Sequence, residues 1–215
     1  MRLHSAICYR SGGEEWDDPW EDRHYRARNL VKALKCKPFN GYSDFRGTDG
    51  KYYRVQDSPA GQEVALLIAG TWIGKMMEEA GYEHAVVVPI PASDHVAAGG
   101  DFTGGRLAAK IMELRPGLVA APALHFATAM AASSAGGGRN SQVVQANLRG
   151  GEALLDRGPI VLLDDVYTTG AHIRGAARYL ASLGIQVEDS FVLARTVWQE
   201  PANMFQCPVE EIDGC

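Results

Sequence analysis

The sequence predicts an α/β fold built on a parallel sheet, and three stretches carry that expectation. Ile160-Val161-Leu162-Leu163, set off by Gly158-Pro159, is a continuous apolar run of strand length, as a strand buried on both faces requires. Ala85-Val86-Val87-Val88-Pro89-Ile90-Pro91 is a second such run, closed by prolines. After the first run comes an amphipathic helix from Ala171 to Leu183, with Ile173, Ala176, Ala177, Leu180 and Leu183 on one side and Gly184 as its stop. Val187 to Ala194 is then a further strand, which completes a βαβ crossover.

The residues just beyond the run at 160–163 give the chain its chemistry. Asp164 and Asp165 fall at the carboxyl end of the strand, the edge at which open α/β sheets meet polar ligands. Thr168, Thr169 and Gly170 then supply two hydroxyls and a series of backbone amides in a tight turn that opens a helix, a setting that favours an anion such as phosphate. The order implies one ligand with vicinal hydroxyls for the carboxylates and a terminal phosphate for the turn. A ribose 5-phosphate has both.

Val161-Leu162-Leu163-Asp164-Asp165-Val166-Tyr167-Thr168-Thr169-Gly170-Ala171 resembles the phosphoribosyl pyrophosphate (PRPP) motif of type I phosphoribosyltransferases. The resemblance implies a Rossmann-like parallel sheet with an N-terminal hood, and PRPP bound by Asp164, Asp165, Val166, Tyr167, Thr168, Thr169 and Gly170. It also implies that the loop after the first core strand, here Ala92-Ser93, grips the pyrophosphate, often through a strained non-proline cis peptide. Taken alone, Ala92-Ser93-Asp94 is an ordinary turn. Mg²⁺ is the implied cofactor, held mainly through PRPP, with Asp164 or Asp165 adding a direct or water-mediated contact. The implied partners are PRPP and a small-molecule acceptor, and a homodimer is compatible with the family.

Pro89-Ile90-Pro91, Phe102, the helix from Gly105 to Leu114, Arg139, the PRPP motif and Val192-Leu193-Ala194-Arg195 are similar in order to the ComF-like branch of that superfamily. Three features depart from it, one being that the later Arg-x-x-Asn of the branch reads Arg139-Asn140-Ser141-Gln142 here. The Arg-Gly-Phe-Asn-Gln pattern of the branch is Gly100-Asp101-Phe102-Thr103-Gly104 here, and the N-terminal cysteine cluster of its zinc finger is absent. The resemblance leaves two function classes: a phosphoribosyltransferase, or a non-catalytic PRPP-binding regulator of the competence-associated kind. A phosphatase with Asp164 as nucleophile would need acid, base and metal ligands at spacings the sequence lacks.

The rest of the chain frames these motifs. With 215 residues, the expectation is a core domain over 61–215 and a hood or subdomain over 1–60. Leu3 to Tyr9 reads as a strand, and Gly12 to Glu21 as an acidic, tryptophan-bearing loop. Asp22 to Lys35 has the helical spacing of Tyr25, Leu30, Val31 and Leu34, with Lys32, Lys35 and Lys37 suited to its carboxyl end. Aromatics between Pro38 and Pro59, around the turn Thr48-Asp49-Gly50-Lys51, make a hairpin that either packs on the core or faces substrate. Gly61 to Gly81 is a helix, Leu118 to Ala121 a short strand, Ala123 to Ala129 an edge segment, and the last twenty residues an irregular tail.

Ala129 to Gln142, rich in small residues and glycine, is expected to be mobile. In the superfamily a flexible loop closes over the reacting centre, and Arg139 at its end either reaches the diphosphate as a catalytic group or is simply solvated. His172, just beyond the phosphate turn, reads as a surface residue. A net charge of −5 argues against a broad nucleic-acid surface but leaves room for a local basic patch. Cys8, Cys36, Cys207 and Cys215 lack CxxC pairing and read as free thiols, and no long apolar segment suggests a leader or a membrane span. The default is a cytoplasmic protein.

Overall fold

The computed structural model of the chain describes residues 1–10, 19–130, 140–155 and 157–213. It is a mixed α/β structure around a six-stranded, mostly parallel sheet. In spatial order the strands are β10 (Glu210–Glu211), β1 (Arg2–Tyr9), β9 (Asp189–Thr196), β8 (Ile160–Tyr167), β4 (Val86–Pro89) and β5 (Val119–Ala120). All neighbours run parallel except β10, which is antiparallel to β1. No helix among the described residues is long and apolar enough to cross a membrane.

The apolar run expected to form a doubly buried strand does so. Ile160 and Leu162 join a core with Leu3, Val86, Val88 and helix α5 (Ala171–Ser182), whereas Val161 and Leu163 join a second core on the opposite face. That second core is supplied by α1 (Asp22–Leu34), α2 (Pro59–Glu79) and α3 (Thr103–Leu114). The alternation arises from the two-residue period of a strand, and it fixes which carboxylate continues which face at the end of the run.

Residues 1–60 do not stand apart from the sheet. β1 lies between β9 and β10, with Leu3 beside Ser190 and Tyr9 beside Thr196, and α1 packs on the sheet next to it. Only the hairpin of β2 (Tyr42–Arg46) and β3 (Tyr52–Gln56) forms a separate sheet in the described part of this span, packed on the core through Phe45 and Val55. A boundary at 60 therefore cuts through one hydrogen-bonded sheet. The tail is not wholly irregular either, since β10 borders β1 and the Ile212 amide donates to the Met1 carbonyl at 2.9 Å.

The segment from 123 onward forms a second small sheet, β6 (Leu124–Phe126) with β7 (Leu148–Gly150), and α4 (Ser141–Asn147) joins it to the surface of α5. Gly175 in α5 makes that approach feasible, because a Cβ there would lie 2.6 Å from Val144. Asn140 caps α4 with its side chain, accepting from the Gln142 amide at 2.8 Å. The stretch expected to be mobile lies largely at 131–139, and both it and Arg139 fall outside the described residues. Cys8, Cys36 and Cys207 are free thiols, and Cys215 also lies outside the described residues.

At the amino-terminal edge of the sheet, Asp189 is fully buried. It accepts from Arg2 at 2.5 Å and from the Tyr82 hydroxyl, and it contacts His4 Nε2 at 2.6 Å. Burial would push this carboxyl up, but the hydrogen bonds from Arg2, Tyr82 and His4 hold it below the usual carboxylate range. A depressed folded-state value means stability that is present above the unfolded value near 4 and lost as pH falls through the folded one. Asp189→Asn should cost about 3 kcal/mol in urea unfolding at neutral pH, since it removes a fully buried charge from its ion pair with Arg2 and from buried His4. The wild-type advantage should shrink below about pH 4; an Asp189→Asn protein as stable as wild type at pH 7 would refute the assignment.

Candidate active site

The carboxyl edge of the sheet collects those described residues that the sequence singled out as a ligand site, Arg139 lying outside the described residues. β8 carries Asp164 and Asp165 in its carboxyl half, and β4 ends alongside at Pro89, paired with Leu163. The Ile90 amide donates to the Leu163 carbonyl at 2.8 Å, so the loop holding Ala92 and Ser93 leaves β4 beside the carboxylates. Both Asp164 and Asp165 are only partly exposed.

Two adjacent carboxylates at a strand end create an electrostatic problem, which the structure meets with a cation from a distant part of the chain. Lys35 Nζ lies 2.9 Å from Asp165 Oδ1. Burial alone would lower the lysine's affinity for its proton, but the ion pair with Asp165 outweighs burial and raises it. Asp164 instead accepts the Asp165 backbone amide at 2.8 Å. Burial pushes its carboxyl up to about 8, and the charge of Asp165 adds to that, so Asp164 carries a proton through much of the neutral range. Sequence alone assigns Lys35 to the helix dipole of α1. Nothing in a local pattern could show that it faces residue 165.

The turn after β8 leads directly into α5 through Gly170. Gly170 has a φ of 72°, in the left-handed region, and a Cβ there would lie 2.4 Å from the Tyr167 hydroxyl and 2.5 Å from its ring, so glycine is strongly favoured. Thr169 Oγ1 accepts from the Ala171 amide at 3.4 Å, and Thr168 Oγ1 lies 3.5 Å from Thr196 Oγ1 on β9. Arg174 braces the turn from the first helical turn of α5, donating to the Tyr167 hydroxyl at 3.1 Å and to the Thr169 carbonyl. Sequence reasoning missed this residue. A cation at a helix amino terminus works against the helix dipole, and that misplacement is the signal by which Arg174 could have been found. The amino terminus of α5 thus follows the carboxylates within a few residues, at the same carboxyl edge of the sheet.

Ala92 and Ser93 form an ordinary turn. The His95 amide donates to the Ala92 carbonyl at 2.8 Å, and the described residues contain no cis peptide, so the strained cis bond implied by resemblance is not there. The Ser93 carbonyl accepts from the Met130 amide at 2.7 Å, which ties this turn to the start of the stretch at 131–139. His172, expected at the surface, is half-buried against Phe126, with ring centroids 5.9 Å apart. Burial lowers its proton affinity, and its Nε2 has no hydrogen-bond partner among the described residues.

No protein-family model matches the sequence, and no curated protein matches it. Among solved structures, the chain is similar to the crystal structure of orotate phosphoribosyltransferase from Aeropyrum pernix. The two share 19% identity at a TM-score of 0.40, over 79% of this chain and 80% of that one.

A carboxyl raised to about 8 has a sign opposite to that of Asp189. Because the folded-state value lies above the unfolded one near 4, wild type loses stability as pH climbs from about 4 to about 8, and the loss levels off above that. Asp164→Asn keeps the acceptor for the Asp165 amide and removes the titration. The variant should therefore be more stable than wild type at pH 8 by about 1–2 kcal/mol, with the gap closing towards pH 4 in thermal or urea unfolding. A variant less stable than wild type at pH 8 would show that Asp164 is ionised and well solvated in the fold.

Proposed function

We propose that the protein is a phosphoribosyltransferase, which binds PRPP with Mg²⁺ and transfers the 5-phosphoribosyl group to a small-molecule acceptor with release of pyrophosphate. One observation supports this above others: the carboxylate pair at the end of β8 and the glycine-turned amides at the start of α5 share one rim, spaced along seven residues of chain from Asp164 to Gly170. Vicinal hydroxyls on one side and a terminal phosphate on the other are what that rim suits.

In this reading the amides and hydroxyls of 168–171 hold the 5-phosphate, and Asp164 and Asp165 hold the ribose hydroxyls. The diphosphate is directed towards Ala92 and Ser93, with Arg139 drawn in from the neighbouring stretch. The acceptor nitrogen supplies the pair for a new bond to C1 while the C1–O bond to diphosphate breaks and pyrophosphate leaves with its electrons. Positive charge develops on the ring, and the Asp165 carboxylate, joined by Asp164 when it gives up its proton, favours that charge. Asp165 can meet a ribose hydroxyl through the oxygen not paired with Lys35, while Lys35 holds the carboxylate in place.

The donor set fits Mg²⁺ in a particular way. Among the described residues no group of three or more His, Cys, Asp or Glu side chains is gathered as a cage. Mg²⁺ keeps several waters and favours one or two carboxylates together with substrate phosphates, so Asp164 and Asp165 suit a cation brought in on PRPP. When bound, it would neutralise charge on the diphosphate and ease its departure.

PRPP with Mg²⁺ should raise the melting temperature, and ribose 5-phosphate should do so more weakly, because a ligand of the native state alone stabilises it by mass action. Asp165→Asn should weaken PRPP binding by roughly tenfold to a hundredfold, the worth of a charged hydrogen bond of about 1.5–3 kcal/mol. A thermal transition unmoved by millimolar PRPP sinks the proposal. Binding without pyrophosphate release across a panel of amine acceptors would leave a PRPP-binding regulator instead of an enzyme.

A further inference from the structure

Cys8 and Cys207 come from opposite ends of the sequence and meet in the structure. Cys8 is fully buried on β1, where its neighbour across the sheet is Arg195 of β9. Cys207 lies on the strap that follows β9 and returns to β1. Two backbone contacts hold that strap: the Cys8 amide donates to the Met204 carbonyl at 2.7 Å, and β10 pairs with Arg2 and Leu3. Cys207 stands between those two points, partly exposed and packed against the core that contains Cys8. The two thiols are in hydrogen-bonding contact and are not bonded to each other.

A buried cysteine often serves only as a small apolar side chain. Two further observations set this pair apart. The setting of Cys8 is charged, since the Arg195 guanidinium hydrogen-bonds to it and also pairs with Glu210 of β10. The hydrogen bond from Cys207 draws the Cys8 thiol below its usual range, burial opposes this, and Arg195 reinforces it; the same hydrogen bond, with burial, raises Cys207. The two sulfurs also differ in access. Cys8 is wholly removed from water, whereas Cys207 lines a cleft of about 260 Å³ beside Trp72, Lys75 and Met76 of α2. A small reagent therefore meets Cys207 first, with Cys8 directly behind it.

We propose that Cys8 and Cys207 form a reversible disulfide, made by exchange with a small-molecule disulfide of the glutathione type, and that this bond fastens the carboxyl-terminal strap to β1. The Cys207 thiolate attacks one sulfur of the external disulfide and expels the first small thiolate. The Cys8 thiolate then attacks the Cys207 sulfur and expels the second. The two protons of the original thiols end on the two small thiols, and the two electrons the pair gives up reduce the external disulfide. In the reduced form the strap is held by buried Met204, by Phe205 against Phe45 and Trp72, and by β10. The disulfide adds a covalent hold between those anchors. It closes a loop of nearly the whole chain, the case in which a crosslink restricts the unfolded state most.

Equilibration of the full chain in glutathione buffers, from reducing to oxidising, followed by alkylation, intact mass and peptide mapping, tests this. In oxidising buffer the chain should lose two hydrogens, and the linked peptides should carry Cys8 and Cys207. The oxidised protein should melt about 5–10 °C above the reduced one, as a crosslink over so long a loop implies for a chain of this size. Cys207→Ser, at the partly exposed member, should abolish the link and the shift, whereas Cys36→Ser and Cys215→Ser should leave both. Cys8→Ala, kept apolar to spare the core, should stop the reaction at a mixed disulfide between Cys207 and glutathione, a species that a merely structural Cys8 would not control. A chain that keeps its thiols in oxidised glutathione, a link that maps to Cys36 or Cys215, a mixed disulfide on wild-type Cys207 that never resolves, or a link without a rise in melting temperature would overturn the proposal. The mapping is made on wild type, so it decides the matter even where Cys8→Ala does not fold.

Discussion

The structure depends on the burial of β8 from both sides. Its four apolar residues divide between two cores, Val161 and Leu163 into one and Ile160 and Leu162 into the other, and all four are essentially removed from water. At roughly 1.5–3 kcal/mol for each side chain of this kind, this short run is among the larger local contributions to stability. It also fixes register, because a shift by one residue would exchange the two faces and drive Asp164 into the interior. The position of the carboxylates at the rim is thus a packing consequence before it is a chemical one.

The same rim works against stability. Two neighbouring carboxylates, partly withdrawn from water, raise the energy of the charged state, and the fold offsets this with one lysine and one backbone amide. Asp189, at the opposite edge, shows how the fold treats a carboxylate placed for stability: three side chains, two from β1 and one from the turn at Tyr82, saturate it. The contrast between a saturated carboxylate at one edge and a crowded, partly exposed pair at the other is what the proposed ribose site would require.

Legibility in the sequence tracks distance along the chain. β4, β8, β9, the hairpin and four of the helices are readable because each is written in a local period or a turn, and the proposed ribose and phosphate residues all lie within the eleven consecutive positions 161–171. The features that escape depend on contacts between remote segments. Lys35 meets Asp165 across 130 residues, and β1 takes its place in the sheet beside β9, 187 residues away in register. α4 escapes for another reason: it is seven residues long, only Val144 in it is buried, and it is held through Asn140 and the surface of α5. Tyr25 is misplaced by periodicity, which cannot distinguish a ring that packs in a core from one left exposed on the helix.

The place of β1 in the sheet has a consequence for the order in which the protein is made. This strand leaves the ribosome before the rest of the sheet, but the neighbour that gives it its register, β9, begins at residue 189. At about 5–20 residues per second, roughly 10–40 s of synthesis separate the two. During that interval β1 has neither of its strand partners, since β10 is made later still. Ala6, Ile7 and Cys8 would then be an unpaired apolar edge on a nascent chain, preceded by the polar His4 and Ser5. The sheet can close only once its late strands have emerged, and the crowded interval before that is when β1 most needs shelter from other chains.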